Sequence, residues 1–99
     1  MLLDQRAVSR KTPLDGKLEV SPEAAARLAA LGEEFALVSG GREARGRVER
    51  MACACAKGAE GGHVHHFVTS PALRALEPGS EVRVELDEGG RVRVEPVAA

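Results

Sequence analysis

The sequence has no tryptophan, tyrosine, isoleucine or asparagine, and its only aromatic residues are Phe35 and Phe67. A core drawn from that alphabet must be built of Val, Leu and Ala. Such a core is thin for 99 residues, and a bound metal ion or a second subunit would strengthen it, so a homodimer is expected. Long hydrophobic runs are missing too. No apolar stretch approaches the ~20 residues that span a bilayer, and "MLLDQRAVSRKTPLDG" lacks the apolar run that follows a basic start in a secretory signal. These absences point to the cytoplasm, where two thiols stay reduced, and away from a membrane partner.

Charge of one sign is also scarce. Fourteen basic residues stand against fifteen acidic ones, for a net charge of −1. A nucleic-acid partner usually demands a positive excess, so the balance weighs against that role without removing it. Arg and Glu are plentiful while Asn is absent, which fits a heat-adapted source.

What is present is punctuation. Residues 1–16 are mostly polar, with Pro13 and a turn signal at Asp15-Gly16, and read as a tail or one short edge strand. Residues 17–99 then read as a single α+β domain. "KLEV" is a strand. "SPEAAARLAALG" is a helix with Ser21 as N-cap, Pro22 in the first position and Gly32 as stop, its apolar face made by Ala24, Leu28 and Leu31. "EEFALVSGG" is a buried strand running into a Gly-Gly turn. "ARGRVERMACAC" and "HVHHFVTS" are strands facing each other across "AKGAEGG". "SPALRAL" repeats the Ser-Pro helix start. "SEVRVELDEGGRVRVEP" is a hairpin with Val82, Val84, Leu86, Val92 and Val94 on one side. Strand, Ser-Pro helix, strand, Gly-Gly turn and strand thus occur twice in the chain. The expected fold is a small, mainly antiparallel sheet or barrel with one or two short helices.

Chemistry concentrates in "MACACAKGAEGGHVHHF", residues 51–67, which holds both cysteines and all three histidines. Pairing the two strands about Ala59 sets Cys53 opposite His65 and Cys55 opposite His63, with Met51 opposite Phe67. Side chains alternate along a strand, so the four ligands share one side. Ala52, Ala54, Val64 and Val68 take the other, core side together with His66, which is therefore the poorest ligand candidate. Opposed Cβ atoms lie ~4.5–5.5 Å apart, close enough for one ion bound by sulfur at ~2.3 Å and nitrogen at ~2.0–2.1 Å. Two thiolates with two imidazoles suit zinc, and next copper(I) or iron(II).

A disulfide between residues i and i+2 of one strand sits at the limit of the usual Cα separation and would be strained. The spacing Cys-x-Cys-x7-His-x-His is also not a common zinc-finger pattern. A buried cysteine pair beside a solvated histidine edge would need no metal.

Other features are plainer. Arg42, Arg45 and Arg47 could bind phosphate or form a solvated strand edge. Glu33 and Glu34 could be catalytic carboxylates or solvated ends, and Glu60 could act as a base on metal-bound water. No nucleophile, base and orienting group assemble from the sequence, so an enzyme is disfavoured.

Two resemblances are visible. "LEVSPEAAARLAALGEEFALVSGG", "RVERMACAC" and "HHFVTSPALRAL", within residues 18–76, look like the first half of a JAMM/MPN metalloprotease-like domain. That likeness would make Glu33 or Glu34 the counterpart of the family's catalytic Glu. The His-x-His-Pro motif and later Ser-x-x-Asp are missing, with Leu73 standing where the Asp would be, so the resemblance implies a degenerate, non-catalytic relative. "VTSPALRALEPGSEVRVELDEGGRVRVEP", within residues 68–96, resembles the AbrB/SpoVT swapped-hairpin domain, which implies a DNA-binding transcription regulator. Here the Cys/His ribbon replaces the basic arm that such a regulator places upstream.

Overall fold

Strict alternation fixes which side of the sheet is core. Val82 and Val84 on one strand and Val92 and Val94 on the next are all fully buried, while Glu81 and Arg83, which alternate with the first pair, are exposed. The computed structural model describes residues 1–53 and 63–97. Its elements, in chain order, are β1 (Leu2–Ala7), α1 (Lys11–Asp15), β2 (Lys17–Val20), α2 (Pro22–Ala29), β3 (Phe35–Ser39), β4 (Arg42–Cys53), β5 (His63–Thr69), a 3-10 turn (Pro71–Ala75), β6 (Glu81–Leu86) and β7 (Val92–Pro96). The seven strands form one mixed sheet in the order β1-β6-β7-β3-β4-β5-β2. Every neighbouring pair is antiparallel except β3 with β7. The sheet curls until its two ends, β1 and β2, approach each other, giving a nearly closed, barrel-like α+β fold.

Residues 1–16 are woven into this fold. β1 pairs with β6 at one end of the strand order, and α1 follows it, a helix that the polar composition did not announce. Two positions hold α1 in place. Thr12 is fully buried, and Gly16 closes the helix at φ +68° by donating its backbone N–H to the Thr12 carbonyl at 2.8 Å. The Gly16 carbonyl accepts in turn from the Ser70 backbone N–H at 2.9 Å, which stitches α1 to the 3-10 turn.

The Ser-Pro starts work as capping signals in both places. Ser21 Oγ accepts from the Ala24 N–H at 3.1 Å and Ser70 Oγ from the Ala72 N–H at 3.3 Å. The first opens an α-helix that buries Ala24, Ala25 and Leu28 against the sheet. The second opens only a 3-10 turn, although Ala72 and Leu73 are still buried. Leu31, expected on the buried face of α2, lies beyond the last helical residue and is 37% exposed. Gly46 sits in β4 under Phe35 and Leu37. A Cβ there would come within 2.8 Å of the Phe35 ring, so the glycine makes room for one of the chain's two aromatic residues.

Candidate metal centre

The β4–β5 ribbon is paired two residues away from the expected register. Cys53 stands opposite His63, Met51 opposite His65 and Glu49 opposite Phe67. Cys53 therefore does not face His65, and Met51 does not face Phe67. The physical reason lies in the core row. The observed register sets Val48 opposite Val68, and Val68 opposite Leu18 of β2, whereas pairing about Ala59 would have put Val48 against Ser70. Val68 and Leu18 are buried and Val48 packs against the core, so apolar pairing there decides the register for the whole ribbon.

A slip of two residues keeps the sides unchanged. Met51, Cys53, His63 and His65 still occupy alternate positions on one side of the ribbon. His66 lies on the other side, between Val20 and Arg50, with a buried Nδ1 that has no hydrogen-bond partner among the described residues. Cys55 and Glu60 lie outside the described residues. No group of three His, Cys, Asp or Glu side chains able to hold a metal ion occurs among the described residues.

His65 is held from a third strand. β2 pairs with β5 so that Glu19 is opposite Phe67, one residue pair along from His65 on the same side. From there Glu19 Oε2 meets His65 Nδ1 at 2.7 Å. The Phe67 ring packs beside the imidazole with centroids 6.2 Å apart, and Lys17 Nζ lies 5.9 Å from the centroid of the same ring. Lys17 and Arg47 both reach Glu49, at 3.3 and 3.0 Å. Partial burial pushes the Glu49 carboxyl up, but the Lys17 hydrogen bond and charge, helped by Arg47, outweigh it and hold this carboxyl below its ordinary value. The side of the ribbon that bears the imidazole is thus a built surface of buried aromatic ring and fixed charges.

Beside it opens a cavity of about 820 Å³. One wall comes from the end of β1 and the start of α1, with Arg6, Arg10 and Lys11. The other comes from β2, β4 and β5, with Glu19, Met51, His65 and Phe67. No described carboxylate lies within ion-pair distance of the three cations, while Glu19 is engaged by His65.

The remaining sequence candidates are occupied in ordinary ways. Glu34 pairs with Arg45 at 2.9 Å on an exposed surface and Arg47 is bound to Glu49, so two of the three arginines of "GREARGR" go to separate carboxylates, and Arg42 is exposed. Glu33 is exposed. Sequence reasoning missed Glu19 and the cations of residues 6–11. The first has no local signal, because its link to His65 spans 46 positions through strand pairing. The second lay in a segment expected to be a tail or one short edge strand, whose polar composition gave no sign of the helix that carries Lys11.

No helix among the described residues is long and apolar enough to cross a membrane. Set against known proteins, the chain matches no family model, no curated protein and no solved structure.

Proposed function

We propose that this protein binds one transition-metal ion, zinc by the character of its donors, through Cys53, His63 and His65, with Cys55 as the fourth ligand. The observation that carries the reading is the 2.7 Å contact between Glu19 Oε2 and His65 Nδ1. A histidine that ligates a metal commonly gives its other ring N–H to a carboxylate, which fixes the tautomer and places the lone pair on the far nitrogen. With Nδ1–H donated to Glu19, that lone pair is on Nε2. The register adds support, since it sets Cys53 across from His63 and leaves His65 two positions along the same side, spacings of ~5 and ~6.7 Å that one ion can bridge. The donor set is soft enough to favour zinc, with copper(I) and iron(II) as competitors.

The role that follows is structural or metal-handling. Two residues of the set lie at the ends of β4 and β5, so an ion there would clamp the open end of the ribbon. A thin Val, Leu and Ala core would benefit from such a clamp. The test is elemental analysis of untagged protein grown in supplemented medium, beside a Cys53→Ser/Cys55→Ser control. The expected result is close to one metal per chain, lost in the control. A content below about 0.2 per chain in the wild type would sink the reading. Cobalt(II) substitution gives a second readout, with thiolate-to-cobalt charge-transfer absorption expected in the wild type only.

A further inference from the structure

The 820 Å³ cavity lies within the range of about 300–1,000 Å³ typical of small-molecule sites, and its lining has two chemically distinct parts. Among the described lysines and arginines outside the cavity, five have a carboxylate at ion-pair distance, whereas Arg27, Arg42, Arg50, Arg74 and Arg83 have none. Arg45 has Glu34, Arg47 and Lys17 share Glu49, and Arg91 and Arg93 share Asp87. Arg6, Arg10 and Lys11 also have no described carboxylate at ion-pair distance, and what sets them apart is that all three line one cavity. Three cations without an ion-pair partner among the described residues therefore share one cavity in a chain whose net charge is −1. The rest of the lining includes the apolar Met51 and Phe67 beside Glu19 and His65. Phe67 is 8% exposed and fixed between His65 and Lys17, while Met51 is 45% exposed and offers a pliable apolar side chain beside it.

We infer that this cavity is a binding site for a small organic anion with an apolar body. The carboxylate or phosphate group of the ligand lies on Arg6, Arg10 and Lys11, and its ring or chain lies on Met51 and Phe67. Guanidinium groups suit planar, bidentate recognition of either head group, and the lysine adds a mobile point charge. The inference does not rest on the metal reading, since none of these five residues is a proposed ligand.

The test uses the 99-residue chain as isolated and titrates it with 1-naphthyl phosphate, with 1-naphthoate, and with uncharged 1-naphthalenemethanol, followed calorimetrically at low salt. The first two arms distinguish a phosphate from a carboxylate head group. Saturable one-to-one binding of at least one anion is expected, with the alcohol at least about tenfold weaker. The Arg10→Ala/Lys11→Ala variant should lose about tenfold in affinity for the anion, and the exposed Arg42→Gln, far from the cavity lining, should stay within about twofold. Unfolding curves establish that both variants are folded, and the comparison of anion with alcohol on the wild type needs no variant at all. Equal affinity for anion and alcohol would overturn the proposal. So would an unchanged double variant, or no saturable binding of either anion. Retention of duplex DNA under conditions where neither anion binds would replace it with a nucleic-acid surface.

Discussion

Glu19 and His65 lie on different strands, 46 positions apart in the chain, yet Oε2 of the one is 2.7 Å from Nδ1 of the other. The contact depends on β2 pairing with β5 in a register that places Glu19 opposite Phe67. It joins the candidate metal ribbon to the cavity, because both side chains also line that cavity.

If Glu19 orients His65 as a ligand, Glu19→Gln should weaken zinc binding by roughly 10–100-fold, as loss of an outer-shell partner commonly does. Stability of the metal-free protein should hardly change, because Glu19 is 45% exposed at its side chain and exposed ion pairs contribute about 0–1 kcal/mol. Competition with a chromophoric chelator measures the first quantity, and urea unfolding in excess chelator measures the second. Equal zinc affinity in variant and wild type would remove Glu19 from the site.

Gly16 offers a cleaner test of how the first sixteen residues are held. At φ +68° any other residue is strained, and a Cβ at Gly16 would also lie 2.7 Å from the Ser70 carbonyl oxygen. Gly40 has a similar φ of +58° with nothing within 4 Å of its Cβ position. Gly40→Ala should therefore report the backbone cost alone, about 1 kcal/mol. Gly16→Ala should cost about 2 kcal/mol or more, because the backbone must move and the Ser70 N–H to Gly16 carbonyl bond lengthens. Urea unfolding of the two variants side by side checks the difference. Equal losses would mean that α1 is not anchored at this contact.

Much of the fold was legible, and the reasons are local. The hairpin of β6 and β7, the capped α2 and the β3–β4 turn follow from alternation, a Ser-Pro start and paired glycines, each a short-range signal. Legibility failed where the deciding interaction was distant. Symmetry about a loop suggested one register for the ribbon, whereas the Val48–Val68–Leu18 row, closed by a strand far away in the chain, chose another. The same distance hid Glu19. The cations of residues 6–11 share a cavity with β5 residues through long-range packing, β1 on β6 and α1 beside β2 and the 3-10 turn. A pattern within ten residues can name a candidate ligand, but its neighbours depend on the topology.

Asp87 gives a prediction in which pH is the variable. In the turn between β6 and β7 its Oδ1 accepts from the backbone N–H groups of Gly89 and Arg91, both at 2.9 Å, and its Oδ2 accepts from Arg93 Nε at 3.1 Å. The Arg91 backbone N–H leads in holding this carboxyl below its ordinary value. Desolvation opposes the shift, and the Arg93 side chain, the Gly89 N–H and the Arg91 charge reinforce it. A carboxyl whose folded pKa is depressed binds fewer protons in the native state than in the unfolded one. Its stabilisation is therefore complete above the ordinary aspartate value of about 3.9 and declines as pH falls through the lower folded value. Asp87→Asn keeps an oxygen for the two backbone donors but sets an amide against Arg93. Its unfolding midpoint should thus lie below that of the wild type at neutral pH, and the gap should close as pH drops below about 3.9. Thermal unfolding measured at intervals from neutral to strongly acidic pH reads the gap directly, and a gap that stays constant throughout would show that the charge on Asp87 contributes nothing to holding this turn.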